Sequence, residues 1–294
     1  MDEHQWLAER FEEQRPHLRS VAYRMLGSLS EAEDAVQDAW LRLSRADVSD
    51  VENLQAWLTT VVARLCLNML RSRQTRREDS LEIHLPDPLV TRAEGGNPEQ
   101  QAVLADSVGL ALFVVLETLA PDERLAFVLH DMFGVPFDEI APMVDRTPAA
   151  ARQLASRARR RLRGKAPTPD RDLTEQRKVV DAFFAAAHQG NFEALVSVLD
   201  PEVVLRSDVG DARIPGSRFV RGAHQVASQA LMFSQPNVEL QPVLINGAAG
   251  VVVYSGERVF SLLAFTVVGG KVAEINAIAD PERLRKMKLP PRDA

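Results

Sequence analysis

Arginine is concentrated between Arg146 and Lys165, and this segment carries the clearest chemistry in the sequence. It holds eight basic residues and no acidic one, whereas the whole chain of 294 residues has a formal net charge of -6. Guanidinium groups bind phosphate oxygens and guanine edges, so a local reversal of charge favours a nucleic-acid surface. The alternative interpretation is a solvated amphipathic helix whose charged face has no partner.

The residues around these arginines predict a helix-turn-helix. A first helix is expected from about Phe137 to Val144, and a polar turn follows it. Thr147 and Pro148 are typical of the cap and the first turn of a second helix. Short and aliphatic residues then recur at helical spacing and predict a buried stripe, formed by Ala151, Leu154, Ala155, Ala158 and Leu162.

A second basic segment follows an acidic one in the first quarter of the chain. Between Glu52 and Glu78 the sequence has arginines and no acidic residue, with Trp57 placed either to stack on a base or to lie in the core. The preceding segment, EAEDAVQDAWLRL, combines carboxylates with Trp40 and Leu41. Such a helix suits a basic protein partner, although an ordinary solvated helix has the same composition.

Composition limits the class of protein. The single cysteine, Cys66, excludes an internal disulfide framework and a cysteine-rich zinc site, and no metal or cofactor site is predicted. The first residues lack the basic and apolar regions of a signal peptide, and no apolar stretch is long enough to span a bilayer. We therefore expect a cytoplasmic protein without membrane contact.

Changes in composition predict a multidomain chain. Residues 1–78 and 106–165 are expected to be all-helical domains, and residues 173–294 an α+β domain with β-branched strands. The segment 79–105 is rich in proline, glycine and acid and is predicted to be a flexible acidic linker, while 166–172 is a short second linker. The Gly269-Gly270 pair between two apolar runs predicts a tight hairpin.

Three regions of the chain, one of them represented by two segments, resemble known families. The segments EAEDAVQDAWLRL and AWLTTVVARLCLNMLRSR are similar to the second conserved region of bacterial sigma factors, and RLAFVLHDMFGVPFDEIAPMVDRTPAAARQLASRARRRL is similar to the fourth. The sequence that follows Leu173 resembles the SnoaL-like, NTF2-type cone. This combination is similar to the ECF41 group of extracytoplasmic-function (ECF) sigma factors, whose linker, loop and tail motifs are matched in part by HLPDP, DVGD and DPERL.

The resemblance implies a sigma factor that binds core RNA polymerase through its β and β′ subunits and is not an enzyme. The acidic helix would dock on the β′ coiled coil through Glu33, Asp34, Gln37, Asp38, Trp40 and Leu41. The following helix would contact and melt the −10 promoter element through Trp57, Arg64, Asn68, Arg71, Arg73, Arg76 and Arg77. The acidic linker would either imitate RNA in the polymerase channel or act as a spacer.

The resemblance also implies a reader of the −35 promoter element and a regulatory contact. The −35 element would be read by Thr147, Arg152, Gln153, Ser156, Arg157 and Arg160. The C-terminal domain would tune activity by contacting the linker through matching motifs. The residues of that contact would be Leu85, Pro86, Asp87, Pro88, Asp208, Gly210, Asp211, Arg213, Asp280, Pro281 and Leu284.

The C-terminal domain leaves a second function open. NTF2-type cones hold small molecules, and some relatives are isomerases or hydrolases, so the alternative is a DNA-binding regulator whose domain senses or transforms a small hydrophobic metabolite. Catalysis would need a base and an oxyanion donor that converge on one carbon. The candidates are Asp181, His188, Asp208, Asp211, His224 and Tyr254. We expect the free protein to be monomeric, with a regulatory rather than catalytic C-terminal domain.

Overall fold

The computed structural model describes residues 3–46, 51, 53–76, 85–93, 109–163, 167, 169–210, 219–233 and 238–292. The chain divides into two compact units. One contains Met1–Ser80 and Val115–Lys165, and the other contains Leu81–Val114 and Ala166–Ala294. None of the described helices has an apolar stretch long enough to cross a bilayer.

Three long helices begin the first unit. They are α1 (Glu3–Leu26), α2 (Leu29–Leu43) and α3 (Leu54–Arg76). Ser28 caps α2, because its hydroxyl accepts a hydrogen bond from the Glu31 amide. The buried residues of α2 recur every three or four positions, so one face packs against α1 and α3 while Asp34 and Asp38 are exposed on the outer face.

Shorter helices form the second helical cluster. They are α4 (Leu110–Leu116), α5 (Pro121–Phe127), a π turn (Val128–Met132), α6 (Phe137–Ile140) continued by a 3-10 turn (Ala141–Met143), and α7 (Pro148–Leu162). The boundary between the two units falls within α4. Asp145 has a positive φ of 54° in the turn between α6 and α7, a conformation that aspartate tolerates better than most residues. The α6–turn–α7 segment is the helix-turn-helix that the sequence predicts.

The second unit is an α+β domain. Its helices are α8 (Leu173–His188), α9 (Phe192–Val198), α10 (Ala223–Phe233) and α11 (Pro281–Lys286). Its strands are β1 (Val90–Arg92), β2 (Leu199–Asp208), β3 (Phe219–Arg221), β4 (Val238–Ile245), β5 (Ala248–Ser255), β6 (Arg258–Val268) and β7 (Lys271–Ile278). The described strands form one sheet in the order β1-β4-β5-β6-β7-β2-β3, in which only β2 and β7 are parallel.

One face of this sheet packs against the helices. Because side chains alternate along a strand, Val203 and Leu205 of β2 and Val251 and Val253 of β5 point to the same apolar core as Phe183 of α8. Residues at the alternate positions lie on the other face. The β6–β7 hairpin turns at Gly269 and Gly270, both with positive φ, as the sequence predicts.

The predicted linker requires a correction. Within 79–105, residues 85–93 are described, and they lie on the C-terminal sheet rather than forming a flexible spacer. Strand β1 pairs antiparallel with the edge of β4, with Val90 opposite Ile245. Sequence reasoning missed this strand because three residues are too short for a periodic signal, and the pairing partner lies about half the chain away.

Candidate nucleic-acid interface and linker clasp

Helix α7, the second helix of the helix-turn-helix, is built from local signals. The Thr147 hydroxyl accepts a hydrogen bond from the Ala150 amide at 3.3 Å, and Pro148 occupies the first turn. The buried residues of α7 are the predicted stripe, Ala151, Leu154, Ala155, Ala158 and Leu162. Since alanine has a short side chain, this face can pack closely against α5, and the arginines are left on the flanks and the outer face.

Acidic residues of the same domain pair with the arginines on the flanks of α7. Glu123 of α5, whose side chain is 6% exposed, lies 2.7 Å from Arg161 and 3.7 Å from Arg157. Asp131 of the π turn lies 2.6 Å from Arg159. Charge in this segment is therefore partly neutralised within the domain, and Arg157 is held by a carboxylate. The sequence could not reveal these pairs, because the acids belong to helices about 30 residues earlier.

The outer face of α7 keeps a separate set of exposed polar residues. At about 100° per residue, this face lies opposite the buried stripe. Arg160 and Arg163 have no ion pair among the described residues, and neither does Arg152. The outer face consists of Arg152, Gln153, Ser156, Arg160 and Arg163. Arg163 was not among the residues predicted to contact the −35 element. Its position one helical turn after Arg160 could have indicated that it shares the outer face.

Arginines of α3 contact neighbouring helices in this conformation. Arg64 donates to the Pro142 carbonyl at 3.1 Å, and Arg71 donates twice to Asp122, at 2.9 and 3.2 Å. Arg73 pairs with Glu31 and is turned toward α1 and α2. The exposed face of α3 that runs past Arg64 is thus joined to the helix-turn-helix cluster within the first unit.

The other residues predicted to contact the −10 element are less constrained. Asn68 is exposed, and Trp57 is half-buried. Arg76 ends α3, and only its backbone position is described. Arg77 lies outside the described residues. The structure therefore brings Arg64, Asn68 and Arg71 to one helical face, and it separates Arg73 from them.

The outer face of α2 presents acidic and apolar groups together. Asp34, Gln37, Asp38 and Leu41 are exposed, with Leu41 at 42%. Trp40 is half-buried against Phe11, with ring centroids 5.2 Å apart. Glu33 is paired with Arg19 at 2.7 Å, so its charge is partly compensated. A groove of about 410 Å³ follows this face at the end of α2, lined by Asp38, Leu41, Arg42, Arg45 and Ala46.

Ionisable groups inside the first unit stabilise the packing of its helices. Arg124 is buried, pairs with Glu117 at 3.0 Å and donates to the Arg24 carbonyl. Burial lowers the pKa of His17 below its usual range, and the nearby Arg24 cation lowers it further. Burial raises the pKa of the Cys66 thiol to about 12, so this cysteine is protonated and unreactive at neutral pH.

A buried carboxylate in the second unit holds the start of the former linker. Asp208 ends β2 with its side chain 4% exposed, and its Oδ2 accepts a hydrogen bond from the Leu85 amide at 3.1 Å. Arg283 of α11 pairs with the same oxygen and reaches Asp87 at 2.8 Å through its other nitrogen. We call Asp87, Asp208, Arg283 and the Leu85 amide the linker clasp.

Further contacts extend the clasp along residues 85–92. The Asn246 side chain accepts from the Leu89 amide at 3.0 Å, and the Leu89 carbonyl accepts from the Asn246 amide at 2.8 Å. Pro86, Pro88 and Leu284 are buried. Asn246 was not among the predicted residues, although an Asn-Gly pair between two apolar runs is typical of a hairpin turn. Arg283 lies within the DPERL motif but was not among the predicted contacts.

Glycine is required beside the clasp. Gly210 has a positive φ of 56° and donates its amide to Asp208. A Cβ at this position would lie 2.7 to 3.0 Å from the carboxyl group of Asp280, which caps α11 through the Glu282 amide. Pro281 follows at the first turn of α11. The predicted contacts Asp211 and Arg213 lie outside the described residues.

Groups suited to acid–base chemistry do not converge inside the C-terminal domain, as far as its residues are described. Asp181, His188 and His224 are exposed. Asp208 belongs to the clasp, and Tyr254 points away from the apolar core, donates to Gln241 at 3.0 Å and is covered by Arg292. The space between helices and sheet is filled by apolar side chains. No cluster of three metal-ligating side chains occurs in the described part of the chain.

Comparisons with known proteins agree with this architecture. The family model for Sigma-70 region 2 matches residues 10–76, and the model for Sigma-70, region 4 matches residues 110–162. The chain is similar to the ECF RNA polymerase sigma factor SigJ of Mycobacterium tuberculosis, at 39% identity over 97% of this chain and 95% of that protein. It is also similar to the probable ECF RNA polymerase sigma factor SigI of the same species, at 33% identity over 98% of both chains.

A solved structure extends the similarity to the whole fold. The crystal structure of M. tuberculosis SigJ matches with a TM-score of 0.77 at 37% identity, covering 96% of this chain and 100% of that one. Two helical domains with these surfaces, one of them a helix-turn-helix, define a bacterial transcription-initiation factor of the sigma-70 class. The chain belongs to the ECF RNA polymerase sigma factors.

Family membership defines the general activity. The protein binds RNA polymerase and directs transcription initiation, and it is not an enzyme. The predicted fold class, two all-α sigma domains followed by an α+β domain, is confirmed.

Proposed function

We propose that the three surfaces described above divide the work of promoter recognition. The outer face of α2 docks on the polymerase β′ subunit, the exposed face of α3 contacts and melts the −10 element, and the outer face of α7 reads the −35 element. The linker clasp lets the C-terminal domain tune activity. Since core polymerase and promoter DNA lie in the bacterial cytoplasm, we propose that the protein acts there, as a monomer before it binds polymerase.

The polymerase contact is supported by the exposed Asp34, Asp38 and Leu41. Exposed carboxylates attract a basic partner, and an apolar residue on the same face supplies area that is removed from water on binding. Leu41→Asp in the full chain is expected to abolish capture of core polymerase, whereas Leu240→Asp, at a comparably exposed leucine on β4, leaves capture unchanged. Equal capture by both variants would remove the docking assignment.

Promoter contact is supported by the charge pattern of α7. The acids Glu123 and Asp131 pair with the flanking arginines, and the outer face is left cationic. Arg160→Ala in the holoenzyme is expected to weaken promoter binding and to lower the slope of log affinity against log salt by about 1. Arg258→Ala, at an exposed arginine of β6, serves as the control and should leave the slope unchanged.

Contact with the −10 element requires an exchange of partners by α3. Arg64 and Arg71 donate to Pro142 and Asp122 in this conformation. Phosphate groups compete for the same guanidinium groups, and Arg71 is 43% exposed, so the exchange costs little. We propose that the helix-turn-helix cluster separates from α3 when polymerase and promoter bind.

One observation carries the regulatory part of the proposal: a buried carboxylate of the C-terminal domain holds the chain that joins the two promoter-reading domains. Anchoring that chain restricts the distance between the two domains. The spacing between the −10 and −35 elements requires one particular distance. Transcription by the holoenzyme is therefore expected to change, in either direction, when Arg283→Met opens the clasp. Output equal to that of the matched variant Arg285→Met would refute the regulatory role.

The alternative function, a catalytic or metabolite-sensing domain, has less support. Those of its candidate acid–base residues that the structure describes lie on the surface or on the sheet face opposite the core. Polymerase contact also distinguishes the two functions, because a conventional DNA-binding regulator does not require the exposed face of α2.

A further inference from the structure

Three flat side chains stack in the helix-turn-helix cluster. The His130 ring lies on the Phe137 ring with centroids 3.9 Å apart and planes 29° apart. The guanidinium carbon of Arg152 lies 5.3 Å from the centroid of the same Phe137 ring. The three residues come from the π turn, from α6 and from α7, so the stack joins both helices of the motif to the segment before them.

The backbone is shaped to build this stack. A π turn, rather than a continued α-helix, carries His130, and such turns occur frequently at functional sites. His130 Nδ1 lies 3.0 Å from the Val135 carbonyl oxygen. Since a carbonyl oxygen can only accept a hydrogen bond, Nδ1 is the donor. Gly134, with a φ of 68°, lets the chain turn back between them. The imidazole is thus oriented by a hydrogen bond before it meets Phe137.

Arg152 differs from the other arginines of α7. It is exposed on the outer face in the second turn of the recognition helix, the part of such helices that contacts base edges. Arg157, Arg159 and Arg161 are held by carboxylates, whereas Arg152 contacts an aromatic ring. An aromatic ring restrains a guanidinium group while leaving its N–H donors available, and a carboxylate occupies those donors.

We propose that Phe137, stacked on His130, is a positioning residue that presents Arg152 for bidentate recognition of a guanine in the upstream promoter element. Guanine offers O6 and N7 as two adjacent acceptors in the major groove, and the planar guanidinium group matches them. Holding the arginine before binding reduces the conformational entropy lost on contact. This inference rests on the proposed reading of the −35 element by α7.

The test is selection of promoters by the holoenzyme, formed from the full chain and core polymerase, from a DNA library randomised over the upstream element. Arg152→Ala is expected to lower guanine preference at one position by about 5- to 150-fold. Phe137→Leu, which keeps an apolar group, should lower preference at that same position by about 2- to 5-fold. Phe137→Tyr keeps the ring and should preserve the preference.

Two further measurements separate positioning from simple stability. The double variant Phe137→Leu, Arg152→Ala should be no less selective than Arg152→Ala alone, because both changes act through one contact. If Phe137→Leu folds poorly, His130→Ala tests the same stack, and it should weaken preference at the same position while leaving the Phe137 ring in place.

Several outcomes would overturn the inference. Uniform loss of affinity at every position in Phe137→Leu would show a structural role only, and so would additive losses in the double variant. A preference unchanged by Arg152→Ala would remove Arg152 as the guanine reader while leaving the −35 function intact. A wild-type holoenzyme that selects no upstream sequence would overturn the proposed −35 function and this inference together.

Discussion

Replacing Arg283 by methionine tests whether a buried ion pair holds the linker on the C-terminal domain. Arg283 is 12% exposed and binds Asp208, which is 4% exposed, and Asp87, which is 33% exposed. Methionine keeps much of the apolar stem and removes both ion pairs. The Asp208 carboxylate would then stay buried after losing the Arg283 cation, unless residues 85–92 detach and expose it to water.

The magnitude follows from this burial. Removing one partner of a buried pair costs about 3 to 5 kcal/mol, and the more exposed pair with Asp87 adds at most about 1 kcal/mol. Detachment of the strand lets water reach Asp208 and relieves most of this cost. The substitution therefore destabilises the closed clasp much more than the open one. With 1.4 kcal/mol for each factor of ten, a cost of about 3 to 4 kcal/mol raises the open population roughly 100- to 1000-fold.

Amide hydrogen exchange in the full chain measures this opening. Protection of the Leu85 and Leu89 amides, which donate to Asp208 and Asn246, is expected to fall by that factor in Arg283→Met, while amides of β5 keep theirs. Arg285→Met is the matched control, since Arg285 is exposed on the same helix and donates to the Pro281 carbonyl of its own helix rather than to the clasp. Unchanged protection at Leu85 in Arg283→Met would refute the reasoning.

Three further predictions concern the helical unit. Burial depresses the pKa of His17 in the folded state, so the unfolded chain binds more protons below about pH 6.5 and stability falls as pH decreases. Between pH 7.5 and 5.0, Tm should therefore drop less in His17→Gln than in the wild-type protein, and equal drops would contradict this. Since the pKa of Cys66 is raised to about 12, iodoacetamide should label it at pH 8 only after unfolding, and rapid labelling of the native chain would argue against its burial. Asp122→Asn removes a partner of Arg71, so the nonspecific DNA affinity of the free chain, measured by mobility shift at low salt, should rise. The variant should lose about 1 kcal/mol of stability or less. Asp138→Asn, at an exposed aspartate of α6, is the control, and an equal rise in both variants would remove the specific role of Asp122.

Pairing inside the helical unit changes how its basic charge is interpreted. The sequence between Arg146 and Lys165 has no acid, yet Glu123 and Asp131 pair with three of its arginines. These pairs hold the arginines on the flanks of α7 and leave its outer face cationic. A count of charges along the sequence therefore overestimates the charge that is available for phosphate contact.

Local sequence determined the elements that depend on neighbours along the chain. The buried stripe of α7, the cap at Thr147 and the hairpin at Gly269 and Gly270 were all predictable, because helical periodicity, capping and turn conformation involve residues within a few positions. Family resemblance, carried by the same segments, identified the two sigma domains. These features are confirmed by the structure and by the comparisons.

Tertiary structure alone decided which side chains became partners. Asp87 and Arg283 are 196 residues apart in the sequence, and the Leu85 amide meets a carboxylate 123 residues away. Charge and hydrogen-bonding capacity are properties of each residue, but a partner is selected by the packing that excludes water around it. For this reason the segment 79–105 could be identified as acidic from its sequence, while the pairing of Val90–Arg92 as an added strand depended on the sheet edge that β4 presents.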